Sequence, residues 1–231
     1  MKELLKCYGI FLPGTGKLFK LLLFFVFPML PLIMLLICNL YQQNDQDAVR
    51  VFPEILIFMN IALLELCIDY ELFMGIDSKS SIVTNYLKYP SNGFSFLEKA
   101  LKVDTIRRIY TLILPSVLIC IIEAITQNNV NYDTIITLLV ICSIVFFAEE
   151  VTFMTVRQFS NINIIMIIGF LIIYVLGYNA GIVSILIIHA AGAYKELVET
   201  VICVLLFVCS LFLSKNRIKR SVRIGKGRLY D

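Results

Sequence analysis

Apolar residues along this chain come in long stretches rather than in alternation. Six of them, at about 18–39, 52–74, 105–127, 132–156, 161–188 and 197–214, reach or approach the roughly 20 residues that a helix needs to cross bilayer hydrocarbon. Several exceed the roughly 10 residues of a barrel strand, and a backbone in lipid must satisfy its own polar groups, so helices are predicted for all of them. The expectation is an all-α, polytopic membrane protein: six transmembrane helices forming a single domain over residues 1–231.

The segments between the runs carry their own patterns. Residues 1–17 set Leu4, Leu5, Tyr8, Ile10, Phe11 and Leu12 beside Lys2 and Lys6, the mixture of an amino-terminal helix lying in the membrane interface, with Pro13 and Gly14 turning the chain inward. Pro28 and Pro31 interrupt the first run and predict a kink. The long segment 75–104 reads as two short amphipathic helices, Ser80 to Tyr89 and Phe94 to Val103, separated by Pro90-Ser91-Asn92-Gly93. In the second, Phe94, Leu97, Leu101 and Ile106 are expected on one side, opposite Glu98, Lys99 and Lys102. The fifth run is long and is cut by Gly177-Tyr178-Asn179-Ala180-Gly181. Two glycines four apart fit either close helix packing or a helix end followed by a re-entrant piece, Ile182 to Ala191.

Charge orients this picture. Six crossings put both termini on one face, and all of the 20 Lys and Arg residues except Arg50 and Lys195 then share that face, which the positive-inside rule makes cytoplasmic. The basic tail 215–231 belongs to it. With 59% hydrophobic and 16% charged residues and a mean hydropathy of +0.88, too little polar sequence remains for a soluble globular domain. Basic segments of this kind meet anionic lipid headgroups; nucleic acid is not an expected partner. The start has no small-residue cleavage site after its first apolar run and is expected to be retained. Seven scattered cysteines, with no Cys-x-x-Cys pair and one histidine in the chain, read as packed apolar side chains rather than disulfides or metal ligands.

Candidate chemistry is sparse. Gly14-Thr15-Gly16-Lys17 lacks the first glycine of a phosphate loop, which would fall at Phe11, and the hydroxyl residue after the lysine, so no ATP hydrolysis is expected in this chain. Glu149 and Glu150 with Arg157 resemble the paired-glutamate motif of the CPBP intramembrane metalloproteases, but the arginine is too far along. His189, expected as a polar cap at headgroup level, lies near the opposite face, so no metal site is expected. The paired glutamates are expected at the interface, where Arg157 partners them or snorkels to the headgroups. Glu65 and Asp69, one helical turn apart in the second run, read either as interface polarity toward its cytoplasmic end or as acids at depth that face water, a partner or a substrate path. An ion-coupled secondary transporter using them is an alternative reading.

Asp77-Ser78-Lys79, then Tyr86-Leu87-Lys88-Tyr89-Pro90, then Lys99 are similar to the pattern after the second span in small bacterial permeases of the type-2 ABC-transporter family, and the interfacial helix and span order resemble that family across the whole chain. Ser91 to Gly93 depart from it, since a basic residue commonly follows that proline. The resemblance implies a half-transporter, a homodimer or a heterodimer with a sister permease, in the bacterial cell membrane. It implies a coupling helix that meets a separately encoded ABC ATPase through Tyr86, Leu87, Lys88, Tyr89, Pro90, Phe94, Phe96, Leu97 and Lys99. ATP and magnesium would sit on that partner, with no cofactor in this chain and no catalysis of its own. Export of amphipathic peptides or other hydrophobic compounds is the implied task.

Overall fold

A computed structural model describes residues 2–12, 16–41, 47–74, 93–127, 132–159 and 161–230. Among these the secondary structure is helical, without a strand. In chain order the helices are α1 (Lys2–Phe11), α2 (Gly16–Leu21), α3 (Phe27–Tyr41), α4 (Asp47–Asp69), α5 (Gly93–Gln127), α6 (Tyr132–Val156), α7 (Ile162–Ala191) and α8 (Lys195–Tyr230). A π-helical turn, Leu22–Val26, joins α2 to α3, and another, Tyr70–Met74, extends α4.

The first π turn answers the prolines. Pro28 has no N–H to give to the preceding turn, and the Phe27 N–H reaches back five residues to the Leu22 carbonyl, so the helix passes the proline pair without ending. The fifth run also continues: α7 runs through Gly177 and Gly181 and ends at Gly192, whose φ of 51° favours glycine. The predicted break at 177–181 and the re-entrant piece are therefore replaced by one helix of 30 residues.

The close-packing reading of those glycines holds. A Cβ at Gly169 would lie 2.2 Å from Leu66 Cδ2, at Gly177 2.5 Å from Met59 Cε, and at Gly181 3.3 Å from Ile55 Cδ1. As α7 numbers rise, their α4 partners fall, so the two helices are antiparallel and the glycines let α4 side chains settle against the α7 backbone.

Three apolar clusters set the remaining directions. One, at the end of the bundle near α1, joins Tyr8, Phe11, Leu23, Phe73, Leu97 and Leu101. A central one joins Leu35, Met59, Leu112, Ile119, Phe146 and Ile173. The third joins Leu66, Phe153, Val156 and Ile165. The composite α2–α3, then α4, α5, α6, α7 and α8 thus alternate in direction. Among the described residues five stretches, Leu18–Ile37, Phe94–Ile122, Thr134–Val156, Ile162–Ile187 and Lys195–Ile224, are long and apolar enough to cross a membrane. The α4 helix, with 23 residues, is also long enough, and its stretch 51–68 holds two charged residues, Glu54 and Glu65, in an otherwise mostly apolar sequence.

The outer faces are apolar. Phe25, Ile167, Leu171, Leu186, Leu205 and Phe212 are each at least half exposed, the surface of a chain whose surroundings are lipid. Buried hydroxyls follow the same rule by turning on their own helices. Thr105, Thr111, Ser116, Thr152 and Ser210 each donate to the carbonyl four residues back. The six described cysteines are free thiols.

Candidate functional site

Near the end of the bundle covered by α1, charged residues from four helices converge in the interior. On α5, Asp104, Arg107, Arg108 and Thr111 recur at helical spacing and share the buried side. On α4, Glu65 and Asp69 lie one turn apart. Glu149, Glu150 and Phe153 line the inner face of α6, with Arg157 just past its end. On α8, Ser210, Ser214, Arg217 and Ser221 form a buried polar stripe at spacings of four, three and four. Arg157, at 5%, is the most exposed of these charges.

Each guanidinium bridges helices. Arg107 grips Glu65 with both ends of its fork, Nη1 to Oε1 at 2.9 Å and Nη2 to Oε2, and also donates to Asp104 Oδ1 at 3.0 Å. Arg108 donates to Glu150 Oε1 at 2.6 Å, while its Nε lies 3.3 Å from Asp104 Oδ2 and its Nη1 3.4 Å from Glu149 Oε2. Arg157 pairs with Asp69. Arg217 ties α8 to three other helices: its Nε lies 3.0 Å from Glu150 Oε2 and its Nη1 3.6 Å from Asp69 Oδ1, and its Nη2 donates to Thr105 Oγ1 at 2.7 Å. Phe153, fully buried, presents its ring to both arginines, with Arg108 Cζ 4.4 Å and Arg217 Cζ 5.6 Å from the centroid.

A lone charge buried this way costs several kcal/mol, so the cluster persists because every charge has an opposite neighbour and most have hydrogen bonds too. The balance is uneven: Glu65, Asp69, Asp104, Glu149 and Glu150 face Arg107, Arg108, Arg157 and Arg217, one carboxylate more than guanidinium. Glu149 is the most loosely held, with Oε1 buried and without a hydrogen-bond partner. Tyr8 of α1 roofs the cluster, its hydroxyl donating to Asp104 Oδ1 at 3.3 Å. Burial, and then the Asp104 charge, push the Tyr8 phenol well above its ordinary value, so it remains a donor.

Several sequence expectations change here. Arg107, Arg108 and Arg217 are interior partners of carboxylates, not solvated basic residues. Arg157 serves Asp69 on α4 and leaves Glu149 and Glu150 to Arg108 and Arg217, so the residues of the protease-like motif do not converge. Among the described residues, no group of three or more His, Cys, Asp or Glu side chains is arranged to hold a metal ion; the side chain of His189 lies outside the description. Glu65 and Asp69 do share a face, as their spacing requires, and that face is turned to arginines.

Of the coupling residues, Tyr86, Leu87, Lys88, Tyr89 and Pro90 lie outside the described residues. Phe94, Phe96, Leu97 and Lys99 occupy the first turns of α5, which is one helix of 35 residues rather than a short amphipathic helix followed by a span. Leu97 is buried and Phe94 packs against the same cluster beneath α1, whereas Lys99 Nζ sits 6.0 Å over the Phe96 ring. Ile106, at 63% exposure, is on the opposite side from Leu97 and Leu101. The last helix likewise has no boundary at 214; it continues to Tyr230.

Compared with family models, curated proteins and solved structures, the chain matches none of them.

Proposed function

We propose that this chain is the membrane-spanning permease subunit of an ATP-driven ABC exporter of the type-2 kind. In this reading α4 also crosses the membrane, both termini are cytoplasmic, and the chain works as a half-transporter in a homodimer or with a sister permease in a bacterial cell membrane. Its cargo is an amphipathic peptide or another hydrophobic compound. The observation that carries the reading is the continuity of α5: about 52 Å of unbroken helix starts at the end of the segment 75–92 and within four turns bears Asp104, Arg107 and Arg108. A displacement at the start of α5, delivered by an ATPase seated on Tyr86 to Pro90, passes without a hinge into a node that also grips α4, α6 and α8. The high positive charge of the same end supports its cytoplasmic placement.

Glu65 and Asp69 are then parts of that node, holding the moving helices together instead of greeting cargo. ATP and magnesium belong to the partner ATPase. The test is purification of the tagged chain from its native membrane. An ABC ATPase should accompany it, and Tyr86→Ala with Tyr89→Ala should release that ATPase and abolish transport-linked hydrolysis while the permease still inserts. Purification without any ATPase, or unchanged association of the double variant, overturns the reading.

A further inference from the structure

The outward face of α8 changes character along its length. Leu205, Val208 and Phe212, each more than half exposed, are followed on the same side by Asn216, Lys219, Arg220 and Arg223. Steps of three, four, four, three, one and three residues keep them within about 120° of arc, turned away from the buried stripe of Ser210, Ser214, Arg217 and Ser221. The basic part borders an open cleft of about 560 Å³, closed on one side by Gln158 just past the end of α6. Arg220 Nη2 donates to the Gln158 amide oxygen at 3.0 Å, a neutral acceptor that leaves the guanidinium charge unbalanced. Lys219 and Arg223 are exposed and make no ion pair among the described residues, and none of the described residues lining the cleft is a carboxylate. The cleft also lies at the depth of lipid phosphates. The apolar run of α8 ends at 214, and Asn216 to Arg220 come about 3–9 Å further along the helix axis, against a headgroup layer about 5–8 Å thick on each side of the hydrocarbon. Cα–Cβ bonds tilt toward the amino terminus of their helix, which here is back toward the membrane.

We infer that this stripe binds a phospholipid with two phosphates in its head, as in cardiolipin. The phosphates enter the cleft among Lys219, Arg220 and Arg223, with the amides of Asn216 and Gln158 as neutral donors, and acyl chains run along Phe212, Val208 and Leu205. A single phosphodiester leaves two of these three cations unmatched, and a zwitterionic head brings an ammonium into a basic cleft, so both are disfavoured. The inference goes beyond the exporter reading. Only the choice of the cytoplasmic leaflet rests on that reading; binding does not, and its test needs no ATPase.

The full chain, purified in a neutral maltoside, is titrated with cardiolipin, phosphatidylglycerol and phosphatidylcholine of matched acyl chains, and bound lipid is counted by native mass spectrometry. Cardiolipin should bind about fivefold or more tightly than phosphatidylglycerol, the scale of one further basic residue meeting a charged head, with phosphatidylcholine weakest. Lys219→Gln with Arg223→Gln should bring cardiolipin down to the phosphatidylglycerol level. Lys6→Gln with Lys102→Gln, which removes the same charge from exposed positions outside the cleft, should leave the preference intact. Glycerol 1-phosphate at equal concentration, a phosphate without a tail, should not displace the lipid. Equal binding of cardiolipin and phosphatidylglycerol, displacement by glycerol 1-phosphate, or equal effects of the two double variants overturns the inference.

Discussion

Carboxylates are buried at both ends of this bundle, but in opposite settings. At the α1 end, Glu65, Asp69, Asp104 and Glu150 are packed against arginines with little space between them; at the other, Glu199 borders a chamber of about 500 Å³. The first arrangement converts burial into cross-links among four helices. The second sets Glu199 beside open space lined mostly by aliphatic side chains. Buried charge by itself therefore says little about role; what fills the space around it differs between the two ends.

The sharpest way to break this comparison is to remove one guanidinium. Arg108→Met leaves Asp104, Glu149 and Glu150 short of a cation and should cost roughly 3–5 kcal/mol, seen as loss of monodisperse protein or a large fall in thermal midpoint in detergent. A variant as stable as the wild type would mean the node is not holding the helices. Next in size is a coupling energy. Glu65→Leu and Arg107→Leu should each destabilise by roughly 3 kcal/mol or more, while the double variant should recover a large part of that loss, because no unpaired charge remains in the pair. Additive losses would argue that Asp104 alone satisfies Arg107.

Smaller effects sharpen the contrast. Gly169→Ala brings a methyl to within 2.2 Å of Leu66 Cδ2 and should cost about 1–3 kcal/mol by pushing α7 off α4, measured as a lower thermal midpoint with the bundle still assembled. Glu199→Gln should move stability least, by about 1 kcal/mol or less, since it keeps the shape of the chamber wall. If it destabilised the protein as much as Arg108→Met, the two ends would be fasteners alike.

Much of the architecture was legible in the residues because lipid imposes a simple rule: long apolar runs are helices. Among the described residues five of the six runs contain stretches meeting that rule, and the run at 52–74 carries the acids that looked anomalous in sequence, Glu65 and Asp69. Helix ends were less legible. Phe94 to Val103 and the span after it appeared separate because charges interrupt the hydropathy at 98–108, yet those charges are matched inside the fold, and a matched charge does not stop a helix. Arg217 was hidden for the same reason, placed in a basic tail on composition. The signal that reveals it is the stripe Ser210, Ser214, Arg217 and Ser221, polar residues recurring at helical period on the buried side of α8. Partner choice was not readable: Arg157 is closer in sequence to Glu150 than to Asp69, and only the crossing of α4 against the end of α6 decides between them.

The glycine contacts and the charge node both lie on α4, with Ile55 and Met59 in the first and Glu65 and Asp69 in the second. That makes the stretch between them a phase standard. One residue added or removed at 60–64 turns the two halves of α4 by about 100° relative to each other. With the Ile55 and Met59 contacts kept, both acids would swing away from their arginines and Leu66 away from Gly169; with the acids and Leu66 kept, Met59 and Ile55 would leave their glycines. Substitution along this stretch is open to any residue that tolerates its surroundings, but its length is not free to drift.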